Sequence, residues 1–316
     1  MCKGILCVKE ICVERLCVWN DFVWFGGLAP VLPFPQMPKT SAKKLPKILT
    51  SEIIIEALCA CHLASYVTAP VLDRGGIMIV GPPGALKTTF LAVLDSYHNT
   101  MVASALNTQT LMRAQQDLAT GSIRSIVVPD LHAIYAGDPR TAARVESSLM
   151  QLAGEGLRGA SWQDTRHQHF VARATVFGAM TATHFERHAK DWEESGFLRR
   201  FLWVRYQLLD AEILMNALER WERADFGAFA APALPASGSI HDDLTSVERA
   251  TIRGWLKHQP RPHEIQYSLF CRATAALRWC YKTVKSKRNA MDTMKAFSQT
   301  LQRDAAQVQV LNRNAQ

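Results

Sequence analysis

The stretch Gly76-Ile77-Met78-Ile79-Val80-Gly81-Pro82-Pro83-Gly84-Ala85-Leu86-Lys87-Thr88 decides how the rest of the chain is read. Five apolar residues make a short buried strand, which runs straight into a glycine-proline loop. Lys-Thr then opens a helix expected to reach about Tyr97. Backbone N–H groups of such a loop, with the start of the following helix, bind phosphate oxygens. Lys87 is expected to reach the β- and γ-phosphates of ATP, and Thr88 to offer its hydroxyl to Mg²⁺. Thr89 is a second candidate contact. The usual pattern is G-x4-G-K-[ST], and Leu86 departs from it at the position before the lysine. Gly84 supplies part of the lost freedom, while the Leu86 β-carbon tightens the cradle. The bland reading is a strand-turn-helix with a chance Lys-Thr. Two prolines, two glycines and the strand-to-helix context argue against it.

Outward from the loop, strands alternate with helices. Met101–Leu106, Ile123–Val128, Arg173–Met180 and Phe201–Tyr206 read as strands. Helices are expected from Thr50 or Ser51 to about Tyr66, from Asn107 or Thr108 to about Ala119, and over Thr141–Leu152. Strands separated by helices imply a parallel sheet covered on both faces. The β-branched run Ile123–Val128 suits a buried parallel strand. Phe226–Ser239 shifts to Ala, Pro, Gly and Ser, so a linker is expected over residues 226–241. Helices are expected beyond it, in Val247–Lys257, Tyr267–Val284 and Ala290–Ala306.

A nucleotide site of this kind needs an acid at the tip of a neighbouring strand. Ser125-Ile126-Val127-Val128-Pro129-Asp130 supplies one, and Asp130 is expected to hold Mg²⁺ through water. The alternative is that Asp130 only caps its loop. A second carboxylate, which would activate the attacking water, is missing beside it. Phe177-Gly178-Ala179-Met180-Thr181-Ala182-Thr183 ends the next strand. Thr181, or else Thr183, is the candidate polar group next to the γ-phosphate.

Ser195-Gly196-Phe197-Leu198-Arg199-Arg200-Phe201 follows. With the phosphate loop and the order of the other elements, it resembles the Ser-Arg-Phe motif of minichromosome-maintenance-type helicases, a group of AAA+ ATPases. The chain also looks similar to uncharacterised ATPases of phages and mobile elements. The likeness covers about residues 50–285. It implies an α/β P-loop sandwich, AAA+ like, with a C-terminal all-helical lid. Arg200 aligns with the arginine finger that completes a neighbour's site, and Arg199 stands where the serine would be. Arg272, in Cys271-Arg272-Ala273, sits where that group carries a second sensor arginine. Asp138-Pro139-Arg140-Thr141-Ala142 and Glu146 resemble the helix after the metal-binding acid. Gly159–Ala172 matches an inserted hairpin that touches DNA in the helicases; here Arg158, Arg166, His167, Gln168 and His169 make it basic, and a solvated loop is the alternative. The chain departs from the group in lacking the N-terminal DNA-binding domain and the acidic pair.

Composition agrees with a globular protein: 316 residues, 48% hydrophobic and 20% charged. The formal charge of +8 favours a polyanion such as DNA as partner. Among eight cysteines, Cys2, Cys7, Cys12 and Cys17 repeat every five residues. No C-x2-C pair exists, so a zinc knuckle is not expected. Reduced thiols and a cytoplasmic setting are expected, and no apolar run is long enough to span a membrane. Residues 1–36 read as an atypical segment outside the fold, with Met37 the natural start, or else as a short Cys-rich adaptor. The ATPase core is then 37–225 and the helical subdomain 242–316. The basic lead-in 38–50 reads as a solvated linker, or else as an arm that contacts a nucleic-acid backbone. Lys282, Lys285, Lys287 and Arg288 read as a wet helix face or a phosphate contact.

Two patterns are set aside. Gly154-Glu155-Gly156-Leu157-Arg158-Gly159 fits G-x-G-x-x-G by count, yet it ends a helix instead of following a strand. His184-Phe185-Glu186-Arg187-His188 misplaces the Glu of a zincin, so surface or capping roles are expected. The resulting expectation is an ATP- and Mg²⁺-dependent ATPase forming a ring or filament and moving DNA, with catalytic Lys87, Asp130, Thr181 and Arg200. Alternatives are a nucleotide-gated switch that recruits a protein partner, a protein remodeller, or a small-molecule kinase.

Overall fold

Ile77 and Ile79 face one hydrophobic cluster, and Met78 and Val80 face another. That alternation follows from the period of two along a strand, and it means both faces of the central strand are covered. The computed structural model describes residues 51–68, 73–85, 87–104, 106–158, 171–206, 234–235, 240–257, 263–299 and 301. Expectations for residues 1–50, the hairpin tip 159–170 and most of the 226–239 stretch lie outside these residues.

The described elements are α1 (Ser51–Leu63), β1 (Val67–Thr68), β2 (Gly76–Val80), α2 (Lys87–Ala92), β3 (Thr100–Val102), α3 (Thr108–Thr120), β4 (Ser125–Val128), α4 (His132–Tyr135) and α5 (Pro139–Ala153). After these come β5 (Leu157–Arg158), β6 (Val171–Ala172), β7 (Thr175–Met180), α6 (Ala182–Ser195), β8 (Leu202–Arg205), β9 (Ile240–His241), α7 (Ser246–Leu256) and α8 (Glu264–Thr283). A last helix, α9, covers residues 290–299. The fold is mixed α/β around a five-stranded sheet in the order β3-β4-β7-β2-β8, every pairing parallel. Parallel strands need long crossovers, and α2, α3, α5 and α6 supply them.

The sheet order corrects one expectation. Asp130 follows β4, which does not neighbour β2, because β7 lies between them. Val176 and Phe177 pair with β2 on one side and β4 on the other. The chain steps away from β2 to β3 and returns through β4 before inserting β7, so sequence order alone misplaces the acid by one strand.

One cluster joins α1, α8 and α9 to the sheet through Leu58, Ile77, Phe177, Phe270 and Phe297. The other holds Met78, Leu111, Val145, Val176 and Trp192 beneath α3, α5 and α6. The described part of 242–316 therefore shares its core with the sheet. The end of the expected linker, Ile240–His241, pairs in parallel with β1. Buried Glu56 of α1 accepts from Tyr281 Oη at 2.7 Å and from Arg288, and Tyr281 meets Thr293 Oγ1 at 2.9 Å. These bonds pin α9 and the turn before it onto α1. The hairpin expected at Gly159–Ala172 has its two described ends paired antiparallel, Leu157 opposite Ala172 and Arg158 opposite Val171.

α6 is a helix that the sequence pattern did not disclose. Only His184 and Trp192 of its fourteen residues are buried, so its apolar stripe is one ring wide. Thr181 caps its start and Gly196, at φ +81°, ends it.

Candidate nucleotide-binding site

The loop begins where three parallel strands end together. Gly81 N donates to Met180 O at 3.2 Å, and Tyr206 N donates to Val80 O at 2.7 Å. A β-carbon on Gly81 would lie 2.3 Å from Tyr206 O, so only glycine passes there. Gly84 adopts φ +77° with open space around it, so its requirement is purely conformational. Pro82, Pro83 and Gly84 are exposed and Ala85 is buried. Leu86, the departure from the usual pattern, lies outside the described residues.

Lys87 opens α2 and turns back over the loop. Its Nζ donates to Gly81 O at 3.0 Å and to Pro82 O at 2.5 Å. Partial burial lowers the Lys87 pKa, and the Asp130 carboxylate acts against that shift. Lys87 and Asp130 are thus electrostatic neighbours although β7 separates their strands. Thr88 is exposed and Thr89 half-buried in the first turn of α2. α2 is shorter than the sequence suggests and passes into a 3₁₀ turn over Val93–Ser96.

Asp130 leaves β4 at the same carboxyl edge of the sheet, the edge where open α/β sheets bind ligands. Leu131 N donates to Ala179 O at 2.9 Å, which fastens the acid's loop to β7. Asp130 Oδ1 accepts from His132 N at 2.9 Å, and its side chain is otherwise open to solvent. Thr181 stands at the tip of β7. Its Oγ1 accepts from His184 N at 3.3 Å, which caps α6. Capping occupies a lone pair and leaves the hydroxyl proton free to donate. Thr183 is exposed. The fold thus brings the loop, Lys87, Asp130 and Thr181 to one edge.

Sequence reasoning missed what surrounds the acid. His132 Nδ1 and His184 Nδ1 lie 3.2 Å apart. Tyr135, His188 and Trp192 pack around His184 in tilted and edge-on orientations, with ring centroids 5.0, 4.6 and 6.1 Å away. His184 is buried, not the surface group expected, and its Nε2 has no partner. Burial, with the neighbouring His188, His132 and Arg187, pushes His184 down to about 4, against the pull of Asp130. Trp192 Nε1 donates to Tyr135 Oη and Glu146 Oε2 at 3.1 and 3.2 Å. Glu146 therefore supports this aromatic wall. The only signal in the sequence was the i, i+4 spacing of His184 and His188. No group of three or more His, Cys, Asp or Glu suited to a metal ion occurs among the described residues.

The two arginines lie elsewhere. Arg200 precedes β8 at the amino edge of the sheet, where its carbonyl approaches Gly75. The five residues of β2 separate it from its own loop, about 16 Å at 3.3 Å per residue. Its Nη1 donates to Gly196 O at 3.0 Å and its Nη2 meets Glu155 Oε1 at 3.4 Å. Arg199 is exposed. Arg272 is buried in α8 and spends its guanidinium on carbonyls: Ala64 O at 3.5 Å, Ser268 O at 3.3 Å, and Asp73 O. Asp73 leads into the start of β2, so Arg272 sits at the edge opposite the loop. There it clamps α1 and the β2 lead-in onto α8.

No family model matches the chain, and no curated protein matches it. Among solved structures it is similar to the protein titled "SCCmec type IV Cch - active helicase", at 10% identity and a TM-score of 0.46. That likeness covers 81% of this chain and 48% of the other, so the chain spans about half that protein's length. No helix among the described residues is long and apolar enough to cross a membrane.

Proposed function

We propose that the chain binds ATP with Mg²⁺ at the Gly81–Thr88 loop, as an AAA+ ATPase, and couples hydrolysis to work on DNA. The observation that carries this reading is the meeting of the loop, Lys87, Asp130 and Thr181 at one edge, with Lys87 within electrostatic reach of Asp130. The Lys87 ammonium now rests on two loop carbonyls. Exchanging neutral carbonyls for phosphate oxygens strengthens those bonds, because both partners then carry charge. The donors present suit a hard cation, with the Thr88 hydroxyl and the Asp130 carboxylate as its protein ligands. Bound there, Mg²⁺ would neutralise charge on the transferring phosphoryl group. Thr181 retains a hydroxyl proton for a phosphate oxygen.

Arg200 lies too far from its own loop to act on it, which suits service to a neighbour's site in a ring or filament. Glu155 holds it in the isolated chain, and Glu155 is largely exposed, at 76%. A neighbour's phosphate would compete for Arg200 against a weak surface pair.

A specific observation favours one other reading. Beside Asp130 stand His132 and His184, and no second carboxylate neighbours it in sequence. With no second carboxylate next to Asp130 in sequence to orient and activate the attacking water, a nucleotide-gated switch with little turnover is the alternative.

The test is ATP hydrolysis by the full chain with and without single- and double-stranded DNA, beside Lys87→Ala and Asp130→Ala. Turnover raised by DNA and lost in both variants supports the motor. ATP binding without turnover in any condition supports the switch. No ATP binding overturns both.

A further inference from the structure

Three adjacent strands of the sheet each begin with an arginine. Arg124 immediately precedes β4, Arg173 stands two residues before β7, and Arg74 two residues before β2. Neighbouring strands are about 4.8 Å apart, so these three side chains start from one short row on the amino edge. Backbone bonds fix the row: Thr175 N donates to Arg124 O at 2.9 Å, and Arg74 N donates to Ala153 O at 2.8 Å. Arg74 Nη1 and Arg124 Nη1 converge on one acceptor, Ser65 O, at 2.8 and 3.0 Å. Arg173 Nη2 donates to Glu155 O at 2.9 Å, and its Nε is without an acceptor.

All three are half-buried, and among the described residues none forms an ion pair. Each guanidinium carries five N–H donors and spends one on a neutral carbonyl. Burial and the positive charges of Arg272, Arg124 and Arg173 together push Arg74 down to about 10. Three clustered cations without an ion pair of their own repel one another, and a carbonyl dipole does not neutralise them. Such a cluster attracts an anion.

We infer that this arginine row at the amino edge of the sheet, Arg74, Arg124 and Arg173, binds the phosphodiester backbone of a nucleic acid strand. Planar guanidiniums present paired donors that match phosphate oxygens. Arg158 is exposed on β5, in the same hairpin base that leads to Arg173, and extends the basic track toward the hairpin. Tyr66 backs the row, with the Arg124 guanidinium 4.2 Å from its ring centroid, so the ring face holds Arg124 in place. The site reads charge and not sequence, as phosphate contacts do. It deepens the DNA half of the proposed function, yet it shares no residue with the nucleotide loop and stands without ATP.

The test uses the full chain without nucleotide. A fluorescent single-stranded oligonucleotide, and a duplex of the same sequence, are titrated by anisotropy across a salt series. Arg124→Gln and Arg173→Gln should each weaken binding several-fold for unrelated sequences. Each should also lower the slope of log affinity against log salt by about 0.7 on the single strand. Arg124→Lys and Arg173→Lys should restore most of that slope, which a purely structural role would not do. In parallel, phenylglyoxal labelling of the wild-type chain should be slowed at Arg74, Arg124 and Arg173 by the oligonucleotide, a readout that needs no variant to fold. Binding of a fluorescent ATP analogue, unchanged in the Gln variants, separates this site from the loop. No oligonucleotide binding by the wild type, unprotected arginines, or unaltered salt slopes in folded variants would overturn the proposal.

Discussion

His132 and His184 face each other through their Nδ1 atoms at 3.2 Å, beside the acid of the candidate site. His184 is buried among aromatic rings and held neutral, its pKa pushed down to about 4. In the unfolded chain it titrates near 6.5. The unfolded state therefore binds more protons between these values, and stability falls as pH drops from about 6.5 toward 4. His184 alone accounts for about 2 kcal/mol of loss by pH 5, at 1.36 kcal/mol per unit. Urea midpoints measured at pH 7.5 and 5 should show this loss, and His184→Phe should remove the His184 share, about 2 kcal/mol, and leave the rest. Buried His62, which is pushed further down to about 3, contributes a comparable loss over the same range. An unchanged profile in the Phe variant contradicts the assignment.

Gly84→Ala isolates the backbone requirement of the loop. No atom lies within 4 Å of the added carbon, so the whole effect comes from φ +77°. The expected cost is about 1–2 kcal/mol for a left-handed non-glycine residue, or a rearranged loop with weakened ATP binding. Gly81→Ala adds a collision with Tyr206 O and should lower the melting temperature further. Thermal unfolding of the two variants, side by side, checks the order.

Arg272 separates a clamp from a nucleotide sensor. Arg272→Met leaves the Ala64 and Asp73 carbonyls without their guanidinium. The expected cost is about 3 kcal/mol or more. ATP affinity of the folded protein should stay unchanged, measured below the melting temperature. A selective loss of ATP affinity at unchanged stability would place Arg272 at the nucleotide after all.

Arg200→Ala should leave ATP binding by the isolated chain intact, because the residue lies at the far edge from its own loop. Turnover should fall only under conditions that allow chains to assemble. Mixing Arg200→Ala with Lys87→Ala protein is the diagnostic measurement. Mixed assemblies should regain part of the turnover that neither variant has alone, and no regain argues against a shared site.

The sequence made the central strand, the loop and the acid legible because each rests on a local pattern. Five apolar residues before Gly81 can be read without knowing their neighbours. The strand order could not, since nothing local says that β7 inserts between β2 and β4. α6 escaped because Trp192 and His184 bury it through a single aromatic stripe, which a count of aliphatic residues misses. The arginine row escaped for the same reason as the strand order. Arg74, Arg124 and Arg173 are far apart in sequence, and only the parallel register lines them up. Arg272 was placed by resemblance, whereas its burial and its carbonyl partners are tertiary facts.

The central claim is that Lys87 and its loop hold ATP. Titration calorimetry of the full chain with ATP, with and without Mg²⁺, beside Lys87→Ala, tests it most directly. The account predicts saturable binding by the wild type, tighter with Mg²⁺, and a loss of at least about tenfold, or 1.4 kcal/mol, in the variant. Equal binding by the two proteins, or none by the wild type, would contradict it.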